Sequence, residues 1–72
     1  MKKTKKIEIK LNGKLKFIPQ NYMISDLVKD LEISLKKVAI ELNQEIIDKK
    51  KISKIVLKKN DKIEIVHFIG GG

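Results

Sequence analysis

Hydrophobic and polar positions alternate early in the chain. Ile7, Ile9 and Leu11 are separated by Glu8 and Lys10, the period of two expected of a half-buried strand. Asn12-Gly13 follows, a pair suited to the positive φ angles of a hairpin turn. Leu15 and Phe17 then resume the alternation. A two-residue loop would set Leu11 against Lys14 and Ile9 against Lys16. A three-residue loop ending at Gly13 pairs Ile9 with Leu15 and Ile7 with Phe17 instead. The hydrophobic phase therefore predicts the longer loop with a glycine bulge.

Pro19-Gln20-Asn21 ends this second strand. Beyond it the period changes, because Leu27, Val28 and Leu31 stand at helical spacing. Ser25 is the candidate N-cap, and Asp26 suits the first turn. Val28 then falls at the third helical position and leaves no capping box. Two to three turns are too few to be stable alone. This helix must lie on something, and the apolar face of the hairpin is available. Val38-Ala39-Ile40-Glu41-Leu42 reads as a buried strand, Asn43-Gln44 as a turn and Glu45-Ile46-Ile47 as a short strand. The polar stretch 48–53 predicts a loop with a helical turn around Ile52 and Ile55. Asn60-Asp61 marks another turn, and 63–69 the last strand. Past Ile65 its apolar residues fall on both faces. That pattern fits a strand buried on both sides or one that carries a docking surface. A hairpin, a helix and further strands predict an α+β architecture. One main helix packs on one face of a mixed four- to five-stranded sheet, the β-grasp outline.

Length limits what such a chain can do. Seventy-two residues make one domain (1–72), and a chain of this size buries only about 60% of the surface its unfolded form exposes. An enclosed active site does not fit beside a core so small, which favours a carrier or binding module over an enzyme. No cysteine is present. Disulfides and thiolate metal sites are thus excluded, and an unstapled fold suits the reducing cytoplasm. The basic stretch 1–6 is expected to be a frayed start. It resembles the head of a signal peptide but lacks the apolar run that must follow. No stretch approaches the roughly 18 apolar residues of a membrane span.

Net charge is +8, and all seventeen basic residues are lysine. Arginine, whose planar fork reads bases and phosphates, is missing. Aromatic stacking platforms are limited to Phe17, Tyr22 and Phe68. A small basic nucleic-acid-binding domain is the alternative of another class. The scattered lysines instead fit solubility and weak steering toward acidic partners, with no nucleic acid and no membrane among them.

The chemistry sits at the end, Gly70-Gly71-Gly72. Two glycines at a given terminus arise by chance in roughly one chain in 200, so three directly after a strand call for a reason. A frayed end and a cloning scar are the bland readings. The functional reading is access. A flexible tail over 70–72 without side chains can thread a narrow cleft in a partner and deliver the Gly72 carboxylate. That group is inert until it is joined to the adenylyl group of ATP. A sulfur nucleophile can then displace the adenylyl group and leave a thiocarboxylate.

The segments Val38 to Ile47 and Asp61 to Gly72 resemble the ThiS family, the ubiquitin-like sulfur carriers of thiamine biosynthesis. Leu11-Asn12-Gly13 and Ser25-Asp26-Leu27-Val28 also stand where that family has a turn and a helix start, so the likeness runs from about Ile7 to Gly72. The resemblance implies a β-grasp fold and a carrier that binds no cofactor itself. It implies adenylation of Gly72 by an E1-like, ThiF-like adenylyltransferase that uses ATP. It further implies sulfur from a cysteine desulfurase persulfide, and delivery to a ThiG-like thiazole synthase. Gly70 and Gly71 would thread into the partner. Three positions depart from the family pattern. Asp48 replaces a usual proline, 49–54 lacks a common tryptophan, and Met23 stands for a frequent threonine. The same chemistry could serve molybdopterin, tungsten cofactor or tRNA thiolation, or protein conjugation.

His67, the single histidine, has no serine or carboxylate constellation around it in the sequence. It reads as packing or partner contact rather than catalysis. Phe68 and Ile69 either anchor in a partner pocket or close the core. No metal site, phosphate-binding loop or catalytic triad is expected.

Overall fold

A computed structural model describes residues 5–68. The basic start over 1–4 and the tail from Ile69 through Gly72 lie outside the described residues. Five strands form one mixed sheet: β1 (Lys6–Leu11), β2 (Lys14–Pro19), β3 (Val38–Leu42), β4 (Glu45–Ile46) and β5 (Lys62–His67). Their spatial order is β2-β1-β5-β3-β4. β1 pairs antiparallel with β2 and parallel with β5, and β5 pairs antiparallel with β3. Between β2 and β3 runs the helix α1 (Ile24–Asp30), followed by a 3-10 helix at Leu35–Lys37. A second 3-10 helix, Lys49–Lys54, links β4 toward β5.

The core follows from the period of each element. Alternate residues of β1, β3 and β5 supply Ile9, Val38, Ile40, Ile63 and Ile65 to one sheet face. Ile24, Leu27 and Val28 of α1 cover that face, and Ile52 and Leu57 close its side. Among the described residues no polar or charged residue is buried, so the core meets no desolvation penalty.

The hairpin differs from the longer loop expected above. Leu11 faces Lys14 and Ile9 faces Lys16, which leaves a two-residue loop of Asn12 and Gly13. Both loop residues have positive φ, 51° and 83°, the form whose twist matches the strands it joins. The phase of β2 is set by Ile18, 1% exposed and opposite Ile7, rather than by Leu15 and Phe17. Those two are 59% and 62% exposed on the outer face. Lys16 is half-buried. Its aliphatic stem can cover the core's margin while its ammonium reaches water. β2 is an edge strand, so its inward positions need not all be apolar. A Gly13→Ala variant is expected to lose about 1 kcal/mol, the penalty of a Cβ in the left-handed region. The cost is conformational alone, because a Cβ at Gly13 would meet nothing within 4 Å. Urea unfolding should record it as a lower midpoint at an unchanged slope.

The helix start also differs from expectation. Met23, not Ser25, is the N-cap, and α1 begins at Ile24. Asp26 is then the third helical residue, and its Oδ2 accepts the Met23 N–H at 2.9 Å. One free donor of the first turn is satisfied in this way. The seven residues of α1 make two turns, short enough to depend on the buried Ile24, Leu27 and Val28.

Candidate functional site

β5 sits at the centre of the sheet and carries the chain toward its end. Two asparagines hold it in register. Asn43 Oδ1 accepts the Lys62 N–H at 3.0 Å, and its Nδ2 donates to Asp61 Oδ1 at 3.0 Å. On the opposite edge, Asn12 N–H donates to the Ile63 carbonyl at 2.8 Å. Asn12 Oδ1 accepts the Ile65 N–H, also at 2.8 Å. The side chain thus takes the place of a strand carbonyl where β1 has already turned into the hairpin.

Register decides what becomes of the rest of β5. Lys10 stands beside Lys62 and Leu11 beside Ile63. Since β1 ends at Leu11, β5 runs past the hairpin turn with β3 alone at its side. Ile65, Val66 and His67 lie opposite Ile40, Ala39 and Val38. Phe68 N–H extends this ladder by donating to the Lys37 carbonyl at 2.8 Å. The fold therefore projects its last strand beyond one neighbour while the other still holds it.

The residues marked as candidate docking positions fall here. His67 and Phe68 are adjacent and exposed at the end of β5. Phe68 is 57% exposed and Val66 52%, so neither closes the core. The mixed pattern past Ile65 marks an accessible surface rather than a strand buried on both faces. Ile46 is 77% exposed beside Glu41 on the outer face. Ile69, Gly70, Gly71 and Gly72 lie outside the described residues.

One neighbour carried no signal in the sequence. Lys49 is half-buried at the start of the second 3-10 helix. Its Nζ donates to the Leu35 carbonyl at 2.6 Å and to the Val38 carbonyl at 2.7 Å. The same ammonium stands 5.5 Å from the centre of the Phe68 ring. In the sequence Lys49 opens an undifferentiated lysine run, and nothing there separates it from Lys50 or Lys51.

Among the described residues no cluster of histidine and carboxylate side chains could hold a metal. No helix among them is long and apolar enough to cross a membrane. The marked electrostatic shift lies elsewhere. Burial, together with the Asp30 carboxylate that accepts its hydroxyl, pushes the Tyr22 phenol above its usual range. Tyr22 stands on the segment leading into α1, where this bond fastens the loop to the helix.

A mixed five-stranded sheet with one main helix on one face defines a β-grasp protein of the ubiquitin-like kind. Residues 7–72 match the model of the ThiS family. Over 65 residues the chain is 42% identical to the sulfur carrier protein ThiS of Bacillus subtilis (strain 168), covering 89% of this chain and 98% of that one. A thiazole synthase of Paramagnetospirillum magneticum is 33% identical over 66 residues, 92% of this chain and 20% of the synthase. The crystal structure of a thiamine biosynthesis protein (ThiS) from Geobacter metallireducens superposes with a TM-score of 0.79 at 25% identity. That match covers 92% of this chain and 100% of the other. The chain belongs to the ThiS family of sulfur carrier proteins of thiamine biosynthesis, which are not enzymes.

Proposed function

We propose that this chain carries sulfur as a thiocarboxylate on Gly72 and gives it up for thiazole formation in the cytoplasm. The observation that carries the reading is the family match, which reaches through Gly72. The chemistry follows from the group at that end. A carboxylate resists nucleophiles because its charge is delocalised over two oxygens. Attack of a Gly72 oxygen on the α-phosphorus of ATP releases pyrophosphate and forms an acyl-adenylate. A sulfur nucleophile then displaces AMP at the carbonyl carbon. An E1-like adenylyltransferase would catalyse the first step. The terminal sulfur of a cysteine desulfurase persulfide would displace AMP. A second thiol would then cleave the resulting acyl disulfide, freeing the thiocarboxylate and forming a disulfide with the donor cysteine. Gly70 and Gly71 would pass through the adenylyltransferase's cleft, where a side chain would obstruct them.

Thiazole synthase is the fitting acceptor. A stretch similar to this chain makes up a fifth of a chain called thiazole synthase, so carrier-like and synthase segments occur in one polypeptide. Val66, His67 and Phe68 at the exposed end of β5 offer both partners a surface next to the tail.

Incubation with ATP, the cognate adenylyltransferase and inorganic sulfide is expected to raise the intact mass by about 16 Da, the difference between sulfur and oxygen. Fragmentation should place the gain on Gly72. An unchanged mass beside an enzyme shown to be active would refute the reading.

A further inference from the structure

We propose that Lys49 is a positioning residue for the C-terminal tail, holding Phe68 at the tail's root against the rest of the fold. The proposal rests on Gly72 being the carrier group. Its own footing is the arrangement of one ammonium among three partners. An ammonium has three N–H donors. Two of Lys49's are directed to the Leu35 and Val38 carbonyls, at 2.6 and 2.7 Å. The Phe68 ring stands within cation–π range at 5.5 Å.

The two carbonyls bracket Lys37, whose own carbonyl accepts the Phe68 N–H at 2.8 Å. One charge therefore grips both the segment that holds Phe68 by its backbone and the ring of Phe68 itself. The base of the Lys49 side chain is fixed as well. Ile47 N–H donates to the Ile40 carbonyl at 2.8 Å, and Asp48 Oδ1 accepts the Lys50 N–H at 2.9 Å. Lysine side chains are usually free in water, and this one spans a gap as a strut.

Position at the root matters because Gly72, the proposed carrier residue, stands close to Phe68 along the chain. Four residues follow Phe68, and fully extended they reach at most about 14 Å. The heading of the chain at Phe68 limits where the Gly72 carboxyl can be presented. With the root held, less ordering is left for a partner to impose on binding. That ordering is the same in the bound ground state and in the transition state, so it acts on KM rather than kcat.

Thiocarboxylate formation is to be followed by intact mass at varied carrier concentration, with the adenylyltransferase, ATP and sulfide. Lys49→Met keeps the length and loses the charge, and is expected to raise KM roughly two- to fivefold at unchanged kcat, the size of a cation–π contact to a largely exposed ring. Lys49→Arg, which keeps charge, donors and ring stacking, should restore KM. In a double-mutant cycle, the combined loss of Lys49→Met and Phe68→Leu should be smaller than the sum of the two single losses, because both remove the same contact. A folded Lys49→Met with the wild-type KM overturns the proposal, as does full additivity with Phe68→Leu. Should Lys49→Met fail to fold, NMR of the wild-type chain decides. Ring current from Phe68 should shift the Lys49 ε-methylene protons upfield, and Phe68→Leu should return them. Ordinary shifts in the wild type overturn the contact. A wild-type chain that gains no sulfur refutes the carrier reading instead, and the NMR test still judges Lys49.

Discussion

Deleting Gly72 is expected to abolish sulfur loading while leaving the fold intact. The shortened chain still ends in a carboxylate, so its charge and nucleophilic oxygens are unchanged. What changes is reach, because removal of one residue withdraws the reacting carbon by about 3.3–3.6 Å. A misplacement of about 1 Å can cost roughly 100-fold in rate, so the loss should be at least that large. Stability should not follow. Among the described residues every buried core residue lies between Ile9 and Ile65, and the deletion touches none of them. Mass spectrometry should therefore show no gain of about 16 Da, while thermal unfolding superposes on that of the full chain. A truncated chain loaded at the normal rate would show that loading does not depend on the reach that Gly72 provides.

Leu27→Ala should have the largest effect on the fold. Leu27 is fully buried, and it joins α1 to the sheet face formed by Ile9, Ile40 and Ile63. A large-to-small change at such a site costs about 2–5 kcal/mol through lost transfer energy and the cavity left behind. A 72-residue chain has a total stability of roughly 4–11 kcal/mol. The variant therefore loses between a fifth and all of it. Each kcal/mol shifts the midpoint of so small a fold by about 4–8 °C, so Tm should fall by roughly 8–40 °C. A seven-residue helix has little stability of its own, so far-UV circular dichroism should report loss of helix and sheet together. A drop of a degree or two would show that α1 contributes far less than its packing indicates.

Strands and helix were legible because burial on one face imposes a period that survives in sequence. Ile9, Ile63 and Ile65 keep the period of two, and Leu27 and Val28 keep the helical one. Phase was harder to read where burial is partial. Lys16 is half-buried and Phe17 mostly exposed, so the hairpin's apolar pattern favoured the wrong pairing. The decisive residue was Ile18, the apolar position of β2 that the core encloses. Ser25 is a good N-cap by residue type, yet Asp26 one position on secures a start at Met23. The tail glycines stood out because two at a given chain end are rare by chance, and the family match reaches through them. Lys49 could not, since its role depends on Leu35, Val38 and Phe68 meeting in space. Separations of 11 to 19 residues hide that meeting.

The central place of β5 bears on how the protein is made. Without that strand the β1–β2 and β3–β4 hairpins share no ladder. A nascent chain still inside the ribosome at β5 has two separate ribbons, and neither can bury its apolar face alone. Completion of the sheet waits for the C-terminal strand to emerge. A chain broken off before β5 leaves the apolar faces of both ribbons open, so the folded pool is enriched in molecules whose translation passed His67.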